Sequence, residues 1–496
     1  MGEEARNDML DLPDEGLEAL LARVGAMAAQ EIAATRSGPV FDRPLSAGQL
    51  EELLDGAAPL PLDGEPLEDL LERCRALLGA GRRTAPAFFG YVLSPAAPIG
   101  VAADLLTSAA DQNVTSWRSA PAATQVERTT IRWLGEFVGF ASDAEGLFVS
   151  GGSMANLTAL LVALRSRSEP DADRRALIAY ASHEAHFSIE KAAAAIGVGF
   201  RRVPVGAGRR LDVEALRGAI AADRRAAKQP FCVIATAGTT ATGAVDPLDA
   251  IADVAEAERL WLHVDGAYGA PAAADPASRP LFSGLERADS LCVDAHKWLY
   301  VPVDCGALLM RSPGAGPTAF GAADAAYVRI LTDEAAESFA FWDHGLELSR
   351  RFRALKLWMT LRYYGGRRLA AAITHDIAMA EHMAVRVRES TELELLAEPG
   401  LSICCFRHVL PGMADAALDQ HNERLLTALQ RDGRAYLSNA SSTAASPCGP
   451  ASRTSARPAP TSSAPWPSSA HWAIGALVGA AEPAARVRLA LAGRGL

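Results

Sequence analysis

Short apolar runs alternate with helical stretches through the middle of this chain, and that alternation constrains the fold more than any other feature. Ala176–Tyr180, Phe231–Thr236 and Leu260–Asp265 are too short and too apolar for surface helices. They are separated by segments of helical spacing near 184–195, 212–227 and 247–258. Apolar runs joined by helices predict an α/β fold with a mostly parallel central sheet and helices on both faces. Ligands of such sheets bind beyond the carboxyl ends of the strands, and that edge collects the chemically distinctive residues. A glycine turn follows Gly146–Val149, His183 and His186 follow the next run, Thr236 to Thr240 another, and then come Asp265 and Lys297.

Lys297 lies between His296 and Trp298, directly after the apolar run Ser290–Val293 and before the strand-like Gly306–Met310. Lysine is rarely buried unless it is paired or chemically used. Burial is expected to depress its pKa and so prepare the amine for a Schiff base with pyridoxal phosphate; the plainer alternative is a lysine snorkelling from a strand end. That cofactor also needs a carboxylate for its ring nitrogen, a phosphate cradle and a planar group against the ring. Asp265, in His263-Val264-Asp265-Gly266-Ala267-Tyr268, is the candidate carboxylate, although a strand-terminal aspartate also serves as a helix cap. Gly266 and Ala267 leave room for a ring. His186 could stack on that ring or be a satisfied structural histidine. Ser150-Gly151-Gly152-Ser153-Met154-Ala155-Asn156 opens a helix reaching about Arg167, whose free N–H groups and dipole suit a phosphate; glycine there also serves a tight turn for backbone reasons alone. The G-x-G-x-x-G and G-x-x-x-x-G-K-[ST] patterns of nucleotide sites are absent from this turn.

The 496 residues are enough for more than one domain. A net charge of −11 with no basic stripe argues against nucleic acid as a partner. No secretory leader or membrane-spanning run is legible, so a cytoplasmic location is expected. The seven cysteines are scattered without a C-x-x-C, which points to reduced thiols and no metal site. Residues 14–81 carry helical spacing in three acidic pieces with an apolar face and no core of their own, as a segment packed on a partner subunit would. An aromatic cluster with Phe88, Phe89 and Tyr91 follows, with Ser94 close behind and Trp117 further on. It reads either as a hydrophobic plug or as the wall of a substrate pocket. The segment 313–337 is a long loop containing Tyr327. We expect three parts: an N-terminal helical dimerisation segment (1–85), a large α/β domain (86–375) and a small C-terminal α/β domain (376–496).

Five ordered motifs carry a family resemblance: Ser-Gly-Gly-Ser-Met-Ala-Asn (150–156), His-Glu-Ala-His (183–186), Thr-Ala-Gly-Thr-Thr (236–240), His-Val-Asp-Gly-Ala-Tyr (263–268) and Asp-Ala-His-Lys-Trp-Leu (294–299). Together, over about residues 40 to 440, the chain resembles the group II pyridoxal-phosphate-dependent amino acid decarboxylases, most of all the aromatic-L-amino-acid decarboxylase branch. The resemblance implies fold type I of the cofactor's enzymes, a homodimer, and decarboxylation of an L-amino acid, aromatic by preference, to its amine. Lys297 would be the Schiff-base lysine, Asp265 the ring-nitrogen partner, His186 the stacking base and Thr240 a cofactor contact, with Asp294 and His296 by the phosphate. Tyr327 matches the family's proton donor after carbon dioxide leaves, which favours amine over aldehyde. A decarboxylating aldehyde synthase and a catalytically impaired cofactor-binding protein stay open as alternatives.

The chain departs from the family at several points. Ala155 replaces a Ser or Thr that often holds the phosphate, so the grip passes to Ser153 and backbone N–H groups. Asp294 replaces an Asn of the animal members and would repel a dianion unless it is paired. Thr84-Ala85-Pro86 stands where many members carry a histidine before the proline. From Ser441 the composition turns abruptly to Ser, Ala, Pro and Arg. Read one base out of phase, residues 446–457 can encode Ala-Leu-Arg-Ala-Cys-Ile-Ala-Asn-Phe-Arg-Thr, the family's pattern at this point. We therefore expect 441–496 to be out of frame, or else a disordered tail; the nucleotide sequence decides between them.

Overall fold

The structure is a computed structural model that describes residues 12–41, 45–321 and 337–440, with the backbone of 471–474. The chain divides into two compact units. One comprises the described residues up to Phe88 together with Thr427–Tyr436; the other comprises the described residues from Phe89 to Leu426 and from Leu437 onward.

The first unit holds the helices Asp14–Ser37, Ala47–Leu53 and Leu67–Gly79, the three acidic pieces anticipated. Ser46 and Gln49 close a capping box at the start of the second. Phe88 stacks on Tyr436 at 5.0 Å with the rings 5° from parallel, and the Arg82 guanidinium lies over the same Tyr436 ring. The 24-residue helix Asp14–Ser37 buries none of its residues and exposes Leu17, Leu21 and Val24.

The second unit is built on a seven-stranded sheet. Its strands are β1 (Glu145–Val149), β2 (Leu177–Ser182), β3 (Gly199–Val203), β4 (Gln229–Thr236), β5 (Trp261–Asp265), β6 (Ser290–Asp294) and β7 (Gly306–Met310), in the order β1-β7-β6-β5-β4-β2-β3. Strand β7 runs antiparallel to both neighbours, and every other pairing is parallel. All residues of β2, β5, β6 and β7 are buried. A sheet covered on both faces needs such strands, which is why they read as unbroken apolar runs instead of alternating ones. The register gathers one edge: Val149 and Asp294 both pair with Gly306, and Thr236 pairs with Asp265. The last residues of β1 and β6 therefore meet the first residue of β7, and those of β4 and β5 lie side by side on the same edge, where the motif residues were expected.

A smaller antiparallel sheet contains β8 (Leu393–Leu395), β9 (Cys404–His408), β10 (Ser438–Ala440) and β11 (His471–Ile474), in the order β10-β11-β9-β8. Strand β11 belongs to the stretch expected to be out of frame or disordered, so that stretch contributes one strand to this sheet. Both sheets lie in the same compact unit, and the expected boundary at 375/376 falls inside the helix Gly366–Arg388. Among the described residues no helix is long and apolar enough to cross a membrane.

Candidate active site

The strand ends line a cavity of about 340 Å³. One wall is the start of the helix Gly152–Arg167. Met154 and Ala155 direct their N–H groups to the Gly151 carbonyl, while those of Gly152 and Ser153 have no partner among the described residues. Two free donors at a helix N-terminus form a site for an anion. A Cβ on Gly152 would stand 3.0 Å from the Ala267 Cβ and 3.1 Å from Asp294 Oδ2, so only glycine lets the turn come this close.

Lys297 is carried by the short helix Ala295–Trp298 that follows β6, and its Nζ reaches into the cavity 3.1 Å from Asp294 Oδ2. Burial alone lowers its pKa, but Asp294 and Asp265 together outweigh burial and hold the ammonium above the ordinary lysine value. This corrects the expected depression: the carboxylates travel with the lysine, and a desolvated cation beside an anion stays charged. Ser94 donates its hydroxyl to the Lys297 carbonyl and so fixes the backbone under the amine. His296 accepts the Cys305 N–H at Nδ1 (3.0 Å) and turns Nε2 towards Asp294 Oδ2 at 3.7 Å; burial lowers its pKa, so it is neutral. The other Asp294 oxygen, Oδ1, is buried without a hydrogen-bond partner among the described residues.

Asp265 ends β5 and is buried. Its Oδ1 accepts the Ala267 N–H at 3.2 Å, the local bond of the capping alternative, and its Oδ2 accepts the Asn156 amide at 3.0 Å. His186 is the N-cap of the helix Phe187–Ile196, taking the Ser188 N–H at Nδ1 (3.3 Å), and it also lines the cavity. The structural and cavity-facing readings of this histidine thus hold together. Burial lowers its pKa, against the pull of Asp265.

Of the remaining expected site residues, Gly152, Ser153, Met154, Thr240 and Ala267 line this cavity. Ala155 does not: it is fully buried and absent from the cavity wall. Nor are Phe88, Phe89, Tyr91 and Trp117 on its walls. Phe88 belongs to the first unit, Phe89 is buried, Tyr91 is exposed, and Trp117 bonds through its N–H to the Phe339 carbonyl. Aromatic residues in one loop do not share an orientation, and spacing alone did not separate them. Tyr327 lies outside the described residues. The sequence reading gave no role to Asn156 or Ser188, both on the cavity wall. The signal for Asn156 was a polar side chain one helical turn after Gly152, at the head of an otherwise apolar helix.

These residues fit pyridoxal phosphate: an amine, a buried carboxylate across the cavity, a flat imidazole, and two free N–H groups where glycine alone leaves room. The matching family model, the pyridoxal-dependent decarboxylase conserved domain, covers residues 48–409. An aromatic-L-amino-acid decarboxylase of Bacillus atrophaeus is 38% identical over 71% of this chain and 74% of its own length. A phenylacetaldehyde synthase of Petunia hybrida is 31% identical over 79% and 81%. The crystal structure of Oryza sativa TDC with PLP and tryptamine superposes with a TM-score of 0.85 at 26% identity, covering 98% of each chain.

Proposed function

We propose the function from one premise: the chain belongs to the pyridoxal-dependent decarboxylase family. It is a pyridoxal-phosphate-dependent lyase that removes the carboxyl group of an L-amino acid, and the relatives' names favour an aromatic one. The observation that carries this reading is the convergence of Lys297, Asp265 and the free N–H groups of Gly152 and Ser153 on one cavity.

Bound pyridoxal phosphate supplies an aldehyde for the amine and an electron sink for the charge left when carbon dioxide departs. The protein's part follows from its own groups. Lys297 would hold the cofactor through its amine, once that amine has given up the proton that Asp294 stabilises. Asp265, a carboxylate fixed by two donors, would keep the ring nitrogen protonated. His186 would supply a flat imidazole against the ring, and Gly152 and Ser153 would hold the phosphate through backbone N–H. Thr240 and Ala267 complete the walls. Asp294 is the awkward member, a carboxylate beside the anion site, held off by Lys297 and by the Nε2 proton of His296.

Tyr327 is assigned the proton donor to the substrate carbon, which selects amine over aldehyde. The aldehyde-synthase reading is favoured by the Petunia relative; oxygen uptake and peroxide release during turnover would establish it. The proposal includes a homodimer, supported by a 24-residue helix that buries nothing of its own. It also includes a cytoplasmic location, supported by six described cysteines that are all free thiols. The test is purified protein with added pyridoxal phosphate, screened for carbon dioxide and amine from L-Phe, L-Tyr, L-Trp and other L-amino acids. Release from at least one, abolished in Lys297→Ala, is the expected result; cofactor binding without release from any would overturn the assignment.

A further inference from the structure

Behind Asp265 lies a chain of buried hydrogen bonds whose proton positions follow from chemistry. Trp261 Nε1 is a donor only, so its 2.9 Å contact makes Ser290 Oγ the acceptor. The Asp265 carboxylate turns the Asn156 amide nitrogen towards itself, so Asn156 Oδ1 faces His263 Nε2 at 2.9 Å and takes its proton, and neutral His263 accepts the Ser290 hydroxyl at Nδ1 (2.9 Å). Burial keeps His263 neutral, its pKa pulled down to about 4. The Asn156 amide nitrogen spends one hydrogen on Asp265 Oδ2 (3.0 Å) and the other on Ser188 Oγ (3.1 Å). A flipped amide would set its oxygen against the Asp265 carboxylate, so the orientation is fixed. His186 Nδ1 takes the Ser188 backbone N–H (3.3 Å), so it is unprotonated, the Ser188 hydroxyl donates to it at 2.8 Å, and the ring proton of His186 sits on Nε2.

We infer that Asn156 is a positioning residue that sets two cavity groups at once, the orientation of Asp265 and, through Ser188, that of the His186 imidazole. The inference rests on the function proposed above. A packing role would satisfy buried polar atoms among themselves, but this network ends on two side chains that both face the cavity. His263 and Asp265 are two residues apart on β5 and so share a face, which turns both towards the helix bearing Asn156. The relay through His263 makes the amide oxygen busy, so both amide hydrogens stay aimed at the cavity groups.

The test compares wild type with Asn156→Ala, Ser188→Ala, His263→Gln and His263→Leu, each checked for folding by circular dichroism. Hydrogen bonds to charged groups are worth enough that Asn156→Ala should bind pyridoxal phosphate on the order of 10- to 100-fold more weakly. The pH at which the bound cofactor's absorbance titrates should move with it. His263→Gln, whose amide N–H can replace Nε2–H, should stay near wild type, whereas His263→Leu should follow Asn156→Ala. In cofactor-free, ¹⁵N-histidine-labelled protein, His186 should keep the Nε2–H tautomer that the Ser188 backbone N–H imposes, while its ring signals shift in Asn156→Ala and Ser188→Ala as the imidazole loses its orienting hydroxyl. A folded Asn156→Ala with unchanged affinity, titration and His186 signals overturns the inference. If that variant does not fold, equal behaviour of His263→Gln and His263→Leu overturns it instead. Wild type that binds no cofactor would sink the functional reading, while the His186 signals would still decide the role of Asn156.

Discussion

At the Asp265 end of the cavity the protein supplies its own partners: Asp265, Asn156, His263 and Ser290 are joined in one chain of hydrogen bonds, all buried. At the Asp294 end the partners are missing. Gly152 and Ser153 offer free N–H groups, Asp294 Oδ1 has no partner among the described residues, and the Lys297 ammonium leans on the remaining oxygen. A finished network holds a group whose protonation must not drift. An unfinished one binds, because its free donors are satisfied only when a ligand arrives. The ring-nitrogen end is therefore preorganised, and the phosphate end is completed by what it takes up.

The largest effect that tests this contrast comes from the amine between the two ends. Lys297→Ala removes the covalent attachment, and loss of such a group should lower decarboxylation by roughly 10⁴-fold. Both ends should survive the change, so pyridoxal phosphate should still bind, reversibly and removable by dialysis. Cofactor retained as tightly as in wild type would mean that the lysine contributes little to binding.

Asp265→Asn strikes the finished end. The shape is kept and the charge is lost, and removing preorganised electrostatic stabilisation should lower kcat by on the order of 10²- to 10³-fold. Cofactor affinity should also fall, by no more than the roughly 10- to 100-fold expected of Asn156→Ala and by less than kcat, because the phosphate end is untouched. An equal fall in both would show that the two ends are not separable.

The unfinished end should respond in the opposite sense. Asp294→Asn removes a carboxylate beside the anion site, and relief of one pKa unit's worth of repulsion corresponds to about tenfold tighter cofactor binding. The same change removes the strongest influence raising the Lys297 pKa, so reconstitution of the variant at neutral pH should be faster. The sign for stability also follows. The folded pKa of Lys297 lies above its ordinary 10.5, so its stabilising contribution is complete below 10.5 and is lost as pH rises through the folded value. Thermal melts of cofactor-free protein should therefore show wild type losing more stability than Asp294→Asn between neutral pH and pH values above 10.5. Parallel losses would deny the ion pair any role in folding.

The finished end was partly written in the sequence, and the unfinished end was legible only as a list of residues. Alternating apolar runs fixed the strands closely, and β4 to β6 deliver their motif residues to one edge because parallel strands must. Strand β7 reverses direction, which apolarity alone does not encode. Asp265 and Lys297 could be named because their types are rare at buried strand ends. The raised pKa of Lys297 could not, because it depends on a 3.1 Å approach to a carboxylate three residues earlier. Asn156 was in view inside a quoted motif, yet its task depends on which hydrogen faces which acceptor. The aromatic residues show the same limit: Phe88 and Phe89 are neighbours in sequence, but they belong to different compact units.

Ala155 shows how fine that distinction becomes, and it carries the smallest predicted effect. In sequence it stood where a hydroxyl would grip the phosphate, which made it a defect to be made good by other groups. In the fold its side chain is fully buried and does not face the cavity, and its N–H is already bonded to Gly151 at 3.0 Å. A hydroxyl added there would turn back to the carbonyl four residues earlier, as serine does within helices. Ala155→Ser should therefore change cofactor affinity by less than about twofold, since one exchanged intrahelical bond leaves the free donors of Gly152 and Ser153 as they were. Titration of both proteins with pyridoxal phosphate decides it. A tenfold gain would mean that the hydroxyl reaches the phosphate, and that the unfinished end is gripped by side chains and not by the backbone.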